Sequence, residues 1–176
     1  QKLSILRNNS HSLRIMTYNV HEWTDSSGKT NINGILNDIL LVFPDILCLQ
    51  ENKLGPLSTP MPIEDKKIKQ TIIFHQYYTH VTSCSADNNL LNTIFVKKTI
   101  ELRIKILGPL GHNIGEYTQD KDAKKRCMNA IEYTFKDRIN KINIFNTHLH
   151  YDNTNNDTFI NFRNALKIIN EISKSG

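Results

Sequence analysis

Three short segments of the chain each end an apolar run with side chains that bind metals or phosphates. They are residues 13–21 (L-R-I-M-T-Y-N-V-H), 45–52 (D-I-L-C-L-Q-E-N) and 144–152 (I-F-N-T-H-L-H-Y-D). The apolar runs have the pattern of strands, and residues at strand ends often carry substrate contacts. Because all three strands end in such side chains, the sequence predicts that they form one shared site.

Each segment contributes one side chain with its own chemistry. Glu51 follows a buried run, so its carboxylate would emerge at a strand's carboxyl end, where Mg²⁺ binds few protein ligands plus phosphate oxygens. Asn19 offers an amide donor and an acceptor, which orient a carboxylate or a phosphate. His148 carries an imidazole that protonates a leaving oxygen or stabilises a phosphate. Taken singly, each has an ordinary structural explanation, so the prediction depends on the three together.

A strand, a helix and a second strand position the first two segments. Residues 13–20 have the pattern of a strand, and 46–49 have the length and bounds of a buried one. Between them, apolar residues recur at helical spacing: Ile32, Ile35, Leu36, Ile39, Leu40 and Phe43. Pro44 ends this helix because proline disfavours helical backbone in the residue before it. The order predicts a βαβ unit.

The rest of the chain predicts a loop, a strand meander and a closing helix. Residues 53–70 hold three prolines and no periodicity, which is typical of a surface loop. Strand-like runs follow at 71–81, 92–97, 101–107, 127–135 and 141–147, with turns at 83–89, 108–115 and 136–140. Apolar residues from Phe159 to Ile172 predict a helix that packs on a sheet. With no internal repeat or boundary, we expect one domain over residues 1–176.

Composition restricts the partners and the compartment. The net charge of +5 and the pI near 9.1 favour an anionic partner, of which nucleic acid is the natural candidate. No apolar stretch approaches the roughly 20 residues that a membrane span needs. The three cysteines, Cys48, Cys84 and Cys127, are odd in number and widely spaced, which predicts buried free thiols and favours an intracellular location.

Together, T-Y-N (17–19), P-D-I-L-C-L-Q-E (44–51) and N-T-H-L (146–149) resemble, in order and spacing, the opening motifs of the endonuclease/exonuclease/phosphatase superfamily of deoxyribonuclease-I-like metallophosphoesterases. The resemblance implies an α/β fold of four layers, an α/β/β/α sandwich. It implies that Glu51 is the main Mg²⁺ ligand, with Mn²⁺ as the alternative ion. It also implies that Asn19 supports the metal and the phosphate as a metal-binding and catalytic residue, and that His148 contacts the scissile phosphate or acts as the acid.

Three further residues are assigned to substrate binding. Arg126 precedes the strand that begins at Cys127 and resembles an arginine found before the corresponding family strand. His21 and His150 stand beside the first and third motifs. We expect all three to contact the substrate.

The sequence also departs from the family pattern. It has neither the later G-D-x-N motif nor the closing S-D-H motif, so the resemblance covers the amino-terminal two-thirds of the family fold. We therefore expect a sandwich that is incomplete at its C-terminal end, with a second polypeptide as one way of completing it. A chain that carries only part of the site should be inactive or nearly so by itself.

The expected function is a magnesium-dependent phosphodiesterase or nuclease-like hydrolase of phosphate esters. Basic charge favours nucleic acid, although family members that act on phosphoinositides and sphingomyelin share the motifs. One alternative is a catalytically inactive nucleic-acid-binding module of the same fold. Another is a metallo-β-lactamase-type hydrolase that binds zinc through His148 and His150, although Asn153 stands where that motif requires histidine.

Overall fold

The computed structural model describes residues 12–54, 68–85, 90–110, 127–149 and 156–175. Its strands are β1 (Ile15–Asn19), β2 (Ile46–Asn52), β3 (Tyr78–Ser85), β4 (Leu91–Lys97), β5 (Ile104–Leu110), β6 (Met128–Thr134) and β7 (Lys141–Thr147). Its α-helices are α1 (Ile32–Val42), α2 (Ile68–Tyr77) and α3 (Asn156–Ser175), and short 3-10 helices span His21–Trp23 and Lys98–Arg103.

The strands form two sheets. The first has the order β1-β2-β4-β3, in which β1 and β2 are parallel and the other pairs are antiparallel. The second has the order β5-β6-β7 and is antiparallel throughout. Because β1, α1 and the parallel β2 follow one another, the predicted βαβ unit is confirmed. Asn19 pairs with Gln50, so the polar ends of the two parallel strands lie side by side.

Three apolar clusters separate four layers. The first packs α1 and α2 against the outer face of the first sheet, and it includes Leu36, Ile39, Leu47, Leu49, Phe74 and Phe95. The second lies between the sheets, and it includes Cys48, Ile94, Val96, Ile131 and Ile144. The third packs Ala165 of α3 against Met128 of β6. The predicted α/β/β/α sandwich is therefore confirmed.

A buried ion pair closes the first sheet at the end away from Glu51. The Lys97 ammonium lies 2.9 Å from Oδ1 of Asp45, and the two side chains are 8% and 4% exposed. Oδ2 of Asp45 accepts a hydrogen bond from the backbone N–H of Arg14 at 2.8 Å. Asp45 thereby joins the starts of β1 and β2 to the end of β4.

Several predicted boundaries were wrong. Residues 71–81 are not one strand, because α2 continues to Tyr77 before β3 begins. The β-branched residues there favour a strand, but a helix buries Phe74 completely, and tertiary packing overrides local propensity. The end of the predicted 53–70 loop is helical from residue 68, and its residues 55–67 lie outside the described part.

The second sheet also differs from the prediction. The short helix Lys98–Arg103 replaces the start of the strand expected at 101–107, and β5 continues to Leu110. In the same way, β3 continues to Ser85, into the turn expected at 83–89.

The prediction of three free thiols was wrong for two of them. Cys84 at the end of β3 and Cys127 just before β6 form a disulfide with a Cα–Cα distance of 6.0 Å, which links the two sheets. Cys48 is free and buried. The expected intracellular location rested on unpaired cysteines, so it loses that support. In the described part of the chain, no helix has the length and apolar character needed to cross a membrane.

Candidate active site

Three strand ends bring their polar side chains together around the carboxylate of Glu51. Nδ2 of Asn19 donates a hydrogen bond to Oε1 of Glu51 at 2.9 Å. Nε2 of His148 lies 3.5 Å from the same oxygen, and Nδ1 of His21 lies 3.6 Å from Oε2. The side chain of Glu51 is 18% exposed, against 31% for His148 and 73% for His21. The group is thus a partly enclosed carboxylate with two more exposed imidazoles beside it.

A bulge in β2 turns Glu51 toward this site. Leu47 and Leu49 face the helices, and strict alternation would place Glu51 beside them. The pairing with β4 shifts by one residue between Leu49 and Asn52, and Glu51 adopts a φ of 54°. Asn52 then takes the helix-facing position and accepts a hydrogen bond from Nε1 of Trp23. Bulges commonly aim side chains at active sites, and positive φ in a non-glycine residue is strain of about 1–3 kcal/mol that collects there.

His21 is held over the carboxylate by an unusual turn. Its backbone N–H donates to Oδ1 of Asn19 at 2.9 Å. His21, Glu22 and Trp23 all have positive φ, and the buried Trp23 side chain anchors the turn to β2 through Asn52. The same Asn19 amide therefore contacts both Glu51 and the turn that carries His21.

Asn146 attaches the second sheet to the site, a role that the sequence analysis missed. Its Oδ1 accepts a hydrogen bond from Nε2 of Gln50 at 2.6 Å. Its Nδ2 donates to the carbonyls of Leu49 and Thr93 at 3.0 and 3.2 Å. The residue is 2% exposed and lies two positions before His148, so these bonds set where β7 ends. The sequence did contain a signal for this contact, because Gln50 and Asn146 are amide residues inside otherwise apolar strands.

Further buried polar contacts continue across the sheets. Nδ2 of Asn92 and the hydroxyl of Thr147 both donate to the carbonyl of Cys127, at 3.0 and 2.9 Å. Nδ2 of Asn129 donates to the carbonyls of Thr82 and Asn92 at 3.1 Å each. These bonds favour one arrangement of the strands that they join, although Oδ1 of Asn129 is buried without a hydrogen-bond partner among the described residues. Together with the disulfide, this network fixes the strand end that carries His148.

Solved structures share this architecture, whereas by sequence the chain matches no protein-family model and no curated protein. A truncated form of TDP2 from Caenorhabditis elegans is 16% identical, with a TM-score of 0.63 over 93% of this chain and 57% of the truncated one. The human Nocturnin catalytic domain is 19% identical, with a TM-score of 0.62 over 92% and 59%. An endonuclease/exonuclease/phosphatase family protein from Leptotrichia buccalis is 15% identical, with a TM-score of 0.53 over 89% and 62%.

The chain has the endonuclease/exonuclease/phosphatase fold. The fold that the motif resemblance implied is therefore confirmed. The chain spans less than two-thirds of the length of each of these three proteins. A shared fold hosts different activities, so the chemistry has to be argued from the site itself.

Within this endonuclease/exonuclease/phosphatase fold, two predicted substrate contacts lie outside the described residues. These are Arg126 and His150, and their assignments stay predictions. The pairing of His148 with His150 in a metallo-β-lactamase-type zinc site is untested for the same reason. That alternative also gives Asn19 and Glu51 no role, although Glu51 lies 3.5 Å from His148 and Asn19 contacts the same carboxylate oxygen.

The donors around Glu51 are one carboxylate and two imidazoles, and the carboxylate is the donor among them that Mg²⁺ prefers. Among the described residues, no group of three or more His, Cys, Asp or Glu side chains is placed to hold a metal ion. Zinc sites normally need three or four such ligands, whereas Mg²⁺ is held by one or two carboxylates together with water and substrate phosphates. Asn19 turns its Nδ2 toward Glu51, an orientation that suits support of the ligand more than direct ligation. Glu51 is then the one strong candidate ligand in the described part.

Proposed function

We propose that the protein is a magnesium-dependent phosphodiesterase of the nuclease type, and that this chain carries part of its active site. The observation that supports this is that Asn19 and His148 both lie at the carboxylate of Glu51. The three residues come from the ends of three strands in two sheets. Because the similar structures are longer than this chain, the proposal concerns the complete protein, with further site groups outside residues 1–176 or on a second polypeptide.

Each of the three residues has a distinct task in this proposal. Bound Mg²⁺ supplies Lewis-acid stabilisation of negative charge on phosphate oxygens. Glu51 holds the ion, and Asn19 keeps the carboxylate in place through its 2.9 Å hydrogen bond. His148 lies 3.5 Å from the carboxylate, where its imidazole contacts the phosphate or gives a proton to the leaving oxygen. The exposed His21 is suited to a second phosphate contact.

Nucleic acid is the proposed substrate. The net charge of +5 favours a polyanion, and counterion release gives basic proteins much of their affinity for nucleic acids. The Nocturnin structure was solved with a bound sulfate anion, which resembles a phosphate group in shape and charge. We extend the binding of such an anion from that protein to this chain as part of the proposal.

The test is cleavage of labelled single-stranded DNA and RNA by the complete protein, with Mg²⁺ or with EDTA. The substitution Glu51→Gln keeps the side-chain shape but removes the charge that binds the cation. We expect it to lower magnesium-dependent cleavage at least about 100-fold. The matched control is Glu171→Gln, an exposed carboxylate on α3 that loses the same charge and should keep full activity.

Two results would contradict the proposal. Unchanged turnover in the Glu51→Gln protein would remove Glu51 from the chemistry. Salt-dependent binding of nucleic acid by the complete wild-type protein, with no magnesium-dependent product, would make the protein a binding module instead.

A further inference from the structure

A basic cleft lies at the end of the second sheet that is far from the candidate site. Its volume is about 590 Å³. It lies between the start of β5 and the turn that joins β6 to β7, and its lining includes Leu102, Arg103, Lys105, Phe135, Lys136 and Arg138. In β6 and β7, Thr134 pairs with Lys141 at this end and Met128 pairs with Thr147 at the other. Six residue steps of an extended strand separate the two ends by about 20 Å.

The cleft carries an excess of positive charge. Among the described residues, none of its four cations, Arg103, Lys105, Lys136 and Arg138, forms an ion pair. The carboxylate that lines it, Glu132, is engaged by Lys141 at 3.0 Å. The positive charge is therefore available to an anionic surface.

Two aliphatic side chains project beside these cations. Leu102 is 102% exposed and Ile139 is 82% exposed, the highest values among the large hydrophobic residues in the described part. Hydrogen bonds hold the backbone at Ile139 in place. Oδ1 of Asp137 accepts them from the backbone N–H groups of Ile139 and Asn140, both at 3.0 Å. We call the group formed by Leu102, Arg103, Lys105, Lys136, Arg138 and Ile139 the basic tip.

We propose that the basic tip docks the protein onto membranes that contain anionic phospholipids. Lys and Arg side chains are attracted to the negative surface of such a bilayer, while aliphatic side chains enter its interfacial region. Single-stranded nucleic acid fits this surface less well, since it is bound by aromatic rings on which bases stack. The ring of Phe135 instead packs edge-on against Tyr133, at 5.0 Å between centroids.

Docking through the basic tip leaves the candidate site free. The site lies at the opposite end of the strands, so it would face the solution while Leu102 and Ile139 contact lipid. The proposal does not depend on the proposed phosphodiesterase activity, because lipid binding is measured without any reaction.

The test is sedimentation of the protein with vesicles of phosphatidylcholine, with and without 30% phosphatidylserine. We expect binding only to the phosphatidylserine vesicles, and weaker binding as salt screens the charges. Two double variants probe the basic tip, Lys136→Ala/Arg138→Ala for charge and Leu102→Ser/Ile139→Ser for insertion. Each should weaken partition into the vesicles by about tenfold or more.

Matched variants outside the basic tip provide the controls. Lys29→Ala/Lys167→Ala removes the same charge from exposed positions, and Leu41→Ser removes an aliphatic side chain that is 68% exposed on α1. Both should bind vesicles like the wild type, and circular dichroism should show that all variants are folded.

The contradicting outcomes are separate from those of the cleavage assay. Absence of binding to phosphatidylserine vesicles overturns the proposal, as does binding that both double variants retain. Binding that is lost in the charge variant but kept in the aliphatic variant also contradicts it, because insertion is then absent. If Lys136→Ala/Arg138→Ala instead weakens only binding of an oligonucleotide, the basic tip is a nucleic-acid surface.

Discussion

At the scale of single residues, the sequence identified the groups with obvious chemistry and missed those that place them. Asn19, Glu51 and His148 could be singled out because each lies at or just after the end of an apolar run, and the structure brings them together. The cross-sheet role of Asn146 could not be deduced, since it depends on a partner 96 residues earlier in the chain. The positive φ of Glu51 follows from a bulge in strand pairing, which no local pattern specifies.

His80 gives a prediction about pH. Burial lowers the pKa of this imidazole below its usual 6.5, and a backbone hydrogen bond at Thr82 offsets part of that effect. The unfolded chain therefore binds the proton more readily than the folded one. The contribution of His80 to stability is complete above about pH 6.5 and falls as the pH drops through the lowered pKa.

The measurement is the melting temperature of the wild type and of His80→Gln at pH 7.5 and pH 5.5. We expect the loss of melting temperature between these two values to be larger in the wild type. Equal losses in the two proteins would show that His80 makes no pH-dependent contribution.

At the scale of elements, hydrophobic periodicity predicted secondary structure well where an element buries one face. It predicted poorly where tertiary contacts determine whether a segment is a helix or a strand. The helix predicted from Ile32 to Phe43 is α1, which ends where Phe43 adopts a left-handed conformation before Pro44. The helix α2 was missed because its β-branched and aromatic residues favour a strand locally. As a helix, this segment packs the ring of Phe74 against those of Tyr78 and Phe95, a tertiary contact that local propensity does not anticipate.

The ion pair between Asp45 and Lys97 gives a prediction about how the first sheet is held. Asp45→Ala leaves a buried ammonium without its partner and frees the N–H of Arg14. We expect the free energy of unfolding to fall by about 3–5 kcal/mol in urea denaturation.

The control uses an exposed pair of similar length. Lys53 and Glu22 are 2.9 Å apart with side chains 59% and 43% exposed, so Lys53→Ala should cost about 1 kcal/mol or less. If the two substitutions cost the same, burial of Asp45 does not control the strength of its interaction.

At the scale of the whole molecule, the sandwich was predictable and its covalent link was not. Strand and helix order, with the motif resemblance, implied two sheets between helices. The disulfide joins residues that are 43 positions apart, and an odd number of cysteines gives no indication of which two meet. Cys84 and Cys127 come together because the sheets stack, so the bond is a consequence of the tertiary fold.

Counting thiols tests this arrangement. Burial raises the pKa of the Cys48 thiol to about 12, and only the thiolate reacts readily. We expect Ellman's reagent to find no reactive thiol in the native chain, one in guanidinium chloride, and three after reduction. In guanidinium chloride without reductant, Cys48→Ser should give none, and three reactive thiols in the wild type would disprove the disulfide.

The central proposal is that Glu51 holds a divalent cation next to His21 and His148. The most direct measurement is the NMR spectrum of the histidine imidazoles during titration with substoichiometric Mn²⁺, because this ion broadens signals from nearby groups whether or not catalysis occurs. We predict selective broadening of His21 and His148, a sharp signal from His80 at the far end of the sheet, and no selective effect in Glu51→Gln. Equal broadening of all histidines, or the same selective pattern in Glu51→Gln, would contradict the account.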